Sequence, residues 1–148
     1  MKGIVTRKQG KLSFIGVVES AGEEEARVRI FPEFCEGLKE INRFSHLIVL
    51  YWIHLRDTKE ERRILQVYPK RHAVKTKVGV FACRSPSRPN LIGLSIVKLV
   101  KTSACNLTVK GLDAIEGSPI IDIKPYIPKA NSVPEAQVPK WTQHGPAT

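Results

Sequence analysis

The segment HLIVLYWIHL at residues 46–55 decides the fold, because it is apolar on both of the faces that an extended chain presents. It is rich in β-branched and aromatic residues, which favour strands. Its longest apolar run, at 47–53, is far shorter than the roughly 18 residues that cross a membrane as a helix. We therefore expect a buried strand here, either in the core of a barrel or at an interface between subunits.

Strand patterns and turn signals follow one another on both sides of this segment. In EEEARVRIF, at 23–31, apolar residues alternate with arginines, which is typical of a half-buried strand. Short helices are expected only within 32–44 and within 56–69, the second capped by Asp57 or Thr58. The other segments with strand character are KLSFIGVVES at 11–20, HAVKTKVGVFA at 72–82, LIGLSIVKLVK at 91–101, LTVKGLD at 107–113 and SPIIDIKPYIP at 118–128.

About seven short strands with no alternation of strands and helices argue against a doubly wound nucleotide-binding fold. The sequence predicts a mainly β protein, a small closed antiparallel β-barrel with one or two short helices. A single domain is expected over 1–130. The segment 131–148 is Pro-rich and polar, and we expect a C-terminal tail that is ordered only where Trp141 docks.

The positive charge is concentrated in the middle of the chain. The net charge is +10, and the part between Arg56 and Lys101 holds twelve Lys and Arg residues against three acids. A basic field of this kind attracts polyanions, with RNA or DNA as the usual partner. Composition alone favours this interpretation no more than simple solvation of the charge.

The cysteines and histidines show no metal-binding spacing and no CxxC pair. We expect isolated reduced thiols and no metal ion. The N-terminus has no apolar region typical of a secretory signal, so a cytoplasmic location is expected. The residues concerned are Cys35, Cys83, Cys105, His46, His54, His72 and His144.

The loop CRSPSRPN at 83–90 carries two arginines between two apolar segments. Pro86 and Pro89 restrict the backbone, so that ordering the loop on binding costs little entropy. Arg84 and Arg88 would then present flat donor groups to an anionic ligand, and Asn90 would add a donor and an acceptor. The alternative is a stiff surface hairpin whose arginines are solvated.

The segment GLDAIEGSPIIDIKPYIP at 111–128 holds a second group of polar residues. Asp113 and Glu116 flank a turn, where Asp113 either accepts a hydrogen bond from a ribose or amino group or caps the turn. Asp122 is expected to pair with Lys124 or an arginine. Of the two histidines around the apolar strand, His54 is the better candidate for ligand contact.

Three segments together resemble the TrmO family (YaeB-like, TsaA-like domain) of S-adenosylmethionine-dependent tRNA methyltransferases. They are FSHLIVLYWIH at 44–54, VGVFACRSPSRPNLIGLS at 78–95 and VKGLDAIEGSPIIDIKPYIP at 109–128, in that order. The resemblance extends from about Ile15 to Pro128. The length is similar to the short archaeal-type form, which lacks the C-terminal extension of bacterial members.

The resemblance implies a small β-barrel that binds S-adenosylmethionine and works as a homodimer. It implies an enzyme that methylates the N6 nitrogen of threonylcarbamoyl-adenosine next to the tRNA anticodon. His54 and Asp113 are candidates for a general base, and Arg84 and Arg88 for contacts to a carboxylate. The implied cofactor-binding positions are Ile53, His54, Arg84, Leu94, Asp113, Ala114, Ile115 and Glu116, and the expected tRNA-binding positions are Arg88, Asn90, Lys124 and Tyr126.

The sequence departs from the family pattern at several positions. The loop after the first strand is cut to ESAGEEEA, at 19–26, without the usual proline and glutamine. Cys83, Ser87 and Leu91 stand where the pattern has threonine, an aromatic residue and proline, and EGSP at 116–119 replaces DGTP. These changes leave open a second function, an RNA- or nucleotide-binding barrel that has lost methyl transfer. A nucleotide hydrolase is a weaker third interpretation, because no metal cluster supports it.

Overall fold

A computed structural model describes residues 7–69 and 75–144 of the chain, and within them six antiparallel strands close into a barrel. The barrel strands are β1 (Gly16–Ala21), β2 (Glu25–Ile30), β3 (His46–Trp52), β6 (Ile92–Ser103), β7 (Asn106–Lys110) and β8 (Pro119–Pro125). Two further strands, β4 (Gln66–Val67) and β5 (Val78–Gly79), pair with each other outside the barrel. Around the barrel the strand order is β1-β2-β7-β6-β3-β8. The expected fold class is confirmed.

The connections contain short helices only. The α-helices are α1 (Lys59–Arg63) and α2 (Pro128–Asn131), and the 3-10 helices span Pro32–Leu38, Ile41–Arg43, His54–Arg56, Val80–Ala82 and Lys140–His144. At the start of α1 the hydroxyl oxygen of Thr58 accepts a hydrogen bond from the Glu61 amide over 3.2 Å, which confirms the expected cap. None of the helices in the described part of the chain is long and apolar enough to span a membrane.

The barrel core follows from the alternation along the strands. In β2, the apolar residues point inward and the arginines outward, as the sequence predicts. In β3, one face is fully buried while Ile48, Leu50 and Trp52 on the other face are half-buried. The central side chains, all of them almost inaccessible to solvent, are Val18, Val28, Ile30, Leu47, Val49, Val97, Leu107, Val109 and Ile120.

β3 closes the barrel because it pairs along most of its length with β6 on one side and β8 on the other. Tyr51 lies opposite Gly93 in this ladder, and its ring covers the glycine so closely that a Cβ at position 93 would overlap it. Because position 93 has no side chain, there is room there for the Tyr51 ring, which is the largest inward side chain of β3. The sequence indicates that some group approaches the backbone closely at Gly93, but it does not indicate that this group is the core residue Tyr51.

The expectation of three reduced thiols is wrong for two of the cysteines. Cys35 and Cys105 form a disulfide, with their Cα atoms 5.4 Å apart, while Cys83 is free. The bond joins the 3-10 helix after β2 to the turn between β6 and β7. The two cysteines are 70 residues apart in the chain, so spacing carries no sign of the pairing. They come together because β2 pairs with β7.

Two strand predictions need correction. The strand expected at 72–82 is reduced to Val78–Gly79, followed at once by a 3-10 helix, and 72–74 lie outside the described residues. This segment joins the small β4–β5 sheet, where only two residue pairs are in register. The first strand begins at Gly16 rather than Lys11. The helix expected within 56–69 ends at Arg63, well before the proline.

Replacing Gly93 with alanine should lower the free energy of unfolding by about 1–3 kcal/mol, because the Tyr51 ring must move to admit the methyl group. Thermal unfolding followed by circular dichroism measures the effect. Gly37→Ala is the matched control, since a Cβ there meets no heavy atom within 4 Å. Equal melting temperatures for the two variants would contradict this packing.

Reduction of the Cys35–Cys105 bond should lower stability by about 2–4 kcal/mol, since the cross-link restricts the unfolded chain. Denaturant unfolding with and without reductant measures this, and Cys35→Ser should show no further effect of reductant. Thiol titration of the unreduced, denatured protein should find a single thiol, that of Cys83. Three titratable thiols would rule the disulfide out in solution.

Candidate functional site

Three chain segments meet at one end of the barrel, where β3 ends and β6 begins. Leu50 pairs with Leu94, and the Ile53 amide donates to the Leu91 carbonyl over 2.8 Å, which continues the ladder past the end of β3. The turn between β7 and β8 covers the same end. A Cβ built on Gly117 in this turn would lie 3.9 Å from His54 Nε2.

The turn from Asp113 to Gly117 is held by backbone hydrogen bonds. The Asp113 amide donates to the buried Ser95 hydroxyl over 3.0 Å, and the Gly117 amide donates to the Val18 carbonyl over 2.8 Å. Gly117 has a φ of 89°, which favours glycine at this position. The turn is fixed to β6 on one side and β1 on the other, so that its side chains are presented on a rigid frame.

The side chains of this end offer both apolar and acidic contacts to solvent. Leu94, Ile115, Asp113 and Glu116 are exposed, and Ile53 and Ala114 are half-buried. An open groove of about 470 Å³ lies between the β1–β2 hairpin and the neighbouring parts of β6 and β7, and of the expected cofactor positions it reaches only Glu116. The structure therefore brings together seven of the eight positions expected to bind a cofactor: Ile53, His54, Leu94, Asp113, Ala114, Ile115 and Glu116.

The eighth position, Arg84, lies on the loop 83–90, which leads directly into β6. Arg84 is exposed, whereas Arg88 is half-buried and donates from one guanidinium nitrogen to the carbonyls of Cys83 and Ser85, over 3.2 and 3.1 Å. Arg88 thus closes the loop on itself, and Arg84 is the arginine turned to solvent. Asn90 is also exposed.

Sequence reasoning missed the side chains that hold this loop in place. The Ser87 hydroxyl donates to Glu61 Oε2, and Arg62 Nε donates to the Pro89 carbonyl over 2.9 Å. Both partners lie on α1, for which the sequence suggested only a helix start. The local pattern of charges on α1 is ordinary for a solvated helix, so nothing in the sequence alone points to the loop.

Lys124 and Tyr126 lie at the other end of β3. Lys124 is opposite Ile48 and forms an ion pair with Asp122 at 3.1 Å, and the Tyr126 amide donates to the His46 carbonyl over 3.0 Å. His46 lies six positions before Trp52, and Ile48, opposite Lys124, lies four positions before it, which is roughly 20 Å and roughly 13 Å of extended chain. The structure does not bring these two positions next to the other site residues. The expected Asp122–Lys124 pair is confirmed.

The outer surface near Lys124 is basic. Lys98 lies between His46 and Lys110 in the ladder, and all three side chains point away from the core. Two lysines directly opposite each other repel, which is unfavourable for the sheet by itself. A row of this kind suits contact with a polyanion.

The outer face of β3 and β6 next to the site end is apolar. Ile92, Leu94 and Ile96 are 37%, 40% and 52% exposed and lie beside Trp52 and Leu50, which are half-buried. A contiguous apolar face of this extent is typical of a contact surface. Within the described residues, no group of three or more His, Cys, Asp or Glu side chains could hold a metal ion.

Comparison with known proteins places this architecture in a family. The model of the tRNA-methyltransferase O N-terminal domain (TrmO_N) matches residues 17–132. A crystal structure of TrmO superposes with a TM-score of 0.69 at 30% identity, over 87% of this chain and 62% of that one. The chain belongs to the TrmO family, as the resemblance of its three motifs predicted.

Two relatives illustrate the similarity of this chain to known proteins. A probable S-adenosyl-L-methionine-binding protein of Methanothermobacter thermautotrophicus is 44% identical over 110 residues, which cover 74% of this chain and 75% of the relative. The tRNA (adenine(37)-N6)-methyltransferase of Escherichia coli is 36% identical over 137 residues, which cover 89% of this chain and 56% of the relative. The chain thus spans little more than half the length of the Escherichia coli enzyme.

Replacing Ser95 with alanine should loosen the turn, because the Asp113 amide loses its partner in a buried position. Amide hydrogen exchange in 112–117 should become faster while exchange in β2 stays unchanged. Ser103→Ala, at the exposed end of the same strand, is the control. Unchanged protection of the turn would show that Ser95 does not hold it.

Proposed function

We propose that this chain is an S-adenosylmethionine-dependent tRNA methyltransferase that methylates N6 of threonylcarbamoyl-adenosine next to the anticodon. The observation that carries the proposal is the meeting of His54, Leu94 and the Asp113–Gly117 turn at one barrel end, beside the loop of Arg84. The expected enzyme class and cofactor are supported by the names of the relatives, one an S-adenosyl-L-methionine-binding protein and one a methyltransferase of tRNA adenine 37.

The chemistry of these residues fits the cofactor. Asp113 and Glu116 can accept hydrogen bonds from ribose hydroxyls, and exposed Leu94 and Ile115 can pack against the adenine. Arg84 supplies a cation for the carboxylate of the methionine part. Bound S-adenosylmethionine supplies an electrophilic methyl group.

The acceptor nitrogen of the substrate carries a proton and is weakly nucleophilic because it is conjugated to a carbonyl. His54 Nε2, which faces the turn, and the Asp113 carboxylate are the two candidates to take this proton. Much of the rate would come from holding the nitrogen in line with the methyl group. One guanidinium nitrogen of Arg88 is engaged with the loop, so its proposed part in tRNA binding falls to the other nitrogens of the group.

The tRNA would lie across both ends of the sheet. Asn90 would contact the nucleotide near the site, and Lys124 and Tyr126, roughly 13 and 20 Å away by the rise of β3, would contact the backbone farther along. The row formed by Lys98 and Lys110 extends this basic surface. Binding that depends on such phosphate contacts weakens steeply with salt.

We also propose that the chain forms a homodimer through the apolar outer face of β3 and β6, centred on Ile96 and the neighbouring Ile48, so that Leu94 is left to the cofactor. A two-fold contact would cover side chains that are otherwise exposed to water. We propose a cytoplasmic location, because the proposed substrate, tRNA, is found there. The division into a barrel domain at 1–130 and a tail at 131–148 stays a prediction.

A second function, binding of the cofactor or RNA without methyl transfer, is favoured by the β1–β2 connection. The Gly22 amide donates to the Glu25 carbonyl over 2.8 Å, so that the connection is a tight turn with no segment long enough to fold over a ligand. The names of archaeal relatives record binding of S-adenosyl-L-methionine and not a reaction.

Arg84→Ala should weaken S-adenosylmethionine binding by roughly tenfold or more, because a charge-assisted contact to the carboxylate is lost. Calorimetric titration measures this. Arg43→Ala is the control, since that exposed arginine pairs with Glu40 before β3 begins. Equal affinity in the Arg84 variant and the wild type would remove Arg84 from the site.

Methyl transfer separates the two functions. With labelled S-adenosylmethionine, the wild type should methylate tRNA that carries threonylcarbamoyl-adenosine and leave tRNA with plain adenosine at that position much less modified. Mass spectrometry of the digested tRNA locates the methyl group. Cofactor binding without transfer to either tRNA would favour the binding module, and equal transfer to both would contradict the proposed substrate.

A further inference from the structure

The short helix α1 and the loop 83–90 are joined by two hydrogen bonds. Glu61 Oε2 accepts from the Ser87 hydroxyl, and Arg62 Nε donates to the Pro89 carbonyl over 2.9 Å. Ser87 is only 6% exposed, so water competes little for its hydroxyl. The two contacts restrain the second half of the loop at adjacent points.

The helix is in turn tied to the end of β3. The Arg62 guanidinium lies 5.4 Å from the centroid of the Trp52 ring and donates to Asp57 Oδ1 over 3.2 Å. Trp52 Nε1 donates to the other oxygen of Asp57 over 3.3 Å. Because Trp52 is the last residue of β3, these contacts link the loop to the barrel end that carries Ile53 and His54.

The first half of the loop 83–90 is restrained by hydrogen bonds within the loop itself. Arg88 holds the carbonyls of Cys83 and Ser85, and the Ser87 amide donates to the Ser85 hydroxyl over 3.2 Å. Arg84 lies between the two residues whose carbonyls are held, with its own side chain in solvent. Any change that frees the Ser87 end of the loop therefore reaches the backbone on both sides of Arg84.

We infer that Glu61 and Arg62 are positioning residues that hold Arg84 in its ligand-binding orientation through Ser87 and Pro89. This inference rests on the proposed function, since it takes S-adenosylmethionine as the ligand of Arg84. A loop that is already held in one conformation loses less entropy on binding. If the loop adopts the ligand-binding conformation only part of the time, the observed affinity falls in proportion to that fraction. The two residues are taken to act through their contacts to Ser87 and Pro89 and not by contact with the ligand.

Glu61 and Ser87 lie 26 residues apart in the chain and meet only through the tertiary fold. The acid on α1 and the serine on the loop therefore act as a pair, and a double-mutant cycle isolates their coupling.

The test uses the variants Glu61→Ala, Ser87→Ala, the double variant and Glu61→Gln, with Glu60→Ala as matched control on the exposed side of the same helix. The first three should speed amide exchange in 83–90 without ligand and raise the dissociation constant for S-adenosylmethionine by roughly tenfold. In methyl transfer, KM for the cofactor should rise with kcat nearly unchanged. Glu61→Gln, which keeps an acceptor oxygen, should restore most of the affinity.

The outcomes are distinguishable from failure of the proposed function. The double variant should bind no more weakly than either single one, and additive losses would overturn the pairing. Unchanged exchange in 83–90 in all three variants would overturn the positioning role. If the wild type binds no S-adenosylmethionine, the proposed function fails, and exchange without ligand still decides whether Glu61 holds the loop.

Discussion

The structure depends on the pairing of β3 with both β6 and β8, because this pairing closes the sheet. A closed barrel has no free edge, and every strand places one face in a common core. Tyr51 fills the core from the middle strand of this trio, and Gly93 is the position that makes room for it. The end of β3 then carries the chain directly into Ile53 and His54, so the site is built at the place where closure is completed.

Each wall of the site is fixed by a different kind of contact. The turn that carries Asp113 is held by backbone hydrogen bonds to Ser95 and Val18, which belong to the barrel itself. The loop that carries Arg84 lies outside the barrel and is held by side chains of α1. A rigid turn and a tethered loop at one end of the barrel suit a ligand whose apolar part needs a fixed surface and whose charged end needs a single directed cation.

Much of the fold could be predicted from the sequence, while the roles of the candidate site residues stay a prediction. The alternation of apolar and polar residues in β2 and the apolar segment of β3 predict barrel strands directly, because inward and outward residues differ in polarity. The prediction of a long strand at 72–82 was wrong, because the chain there turns into a short 3-10 helix that buries Val80 and does not continue as a paired strand. The Cys35–Cys105 bond and the Glu61–Ser87 contact join residues far apart in the chain, and only the tertiary fold determines such pairs.

The proposed function depends most on where S-adenosylmethionine binds. Titration of isotope-labelled protein with the cofactor, followed by amide chemical shifts, tests this directly. We expect the changes to concentrate at Ile53, His54, Leu94, Arg84 and the turn 113–117, with little change around Lys124. Changes confined to the Lys124 end of the sheet, or none at millimolar cofactor, would contradict the site.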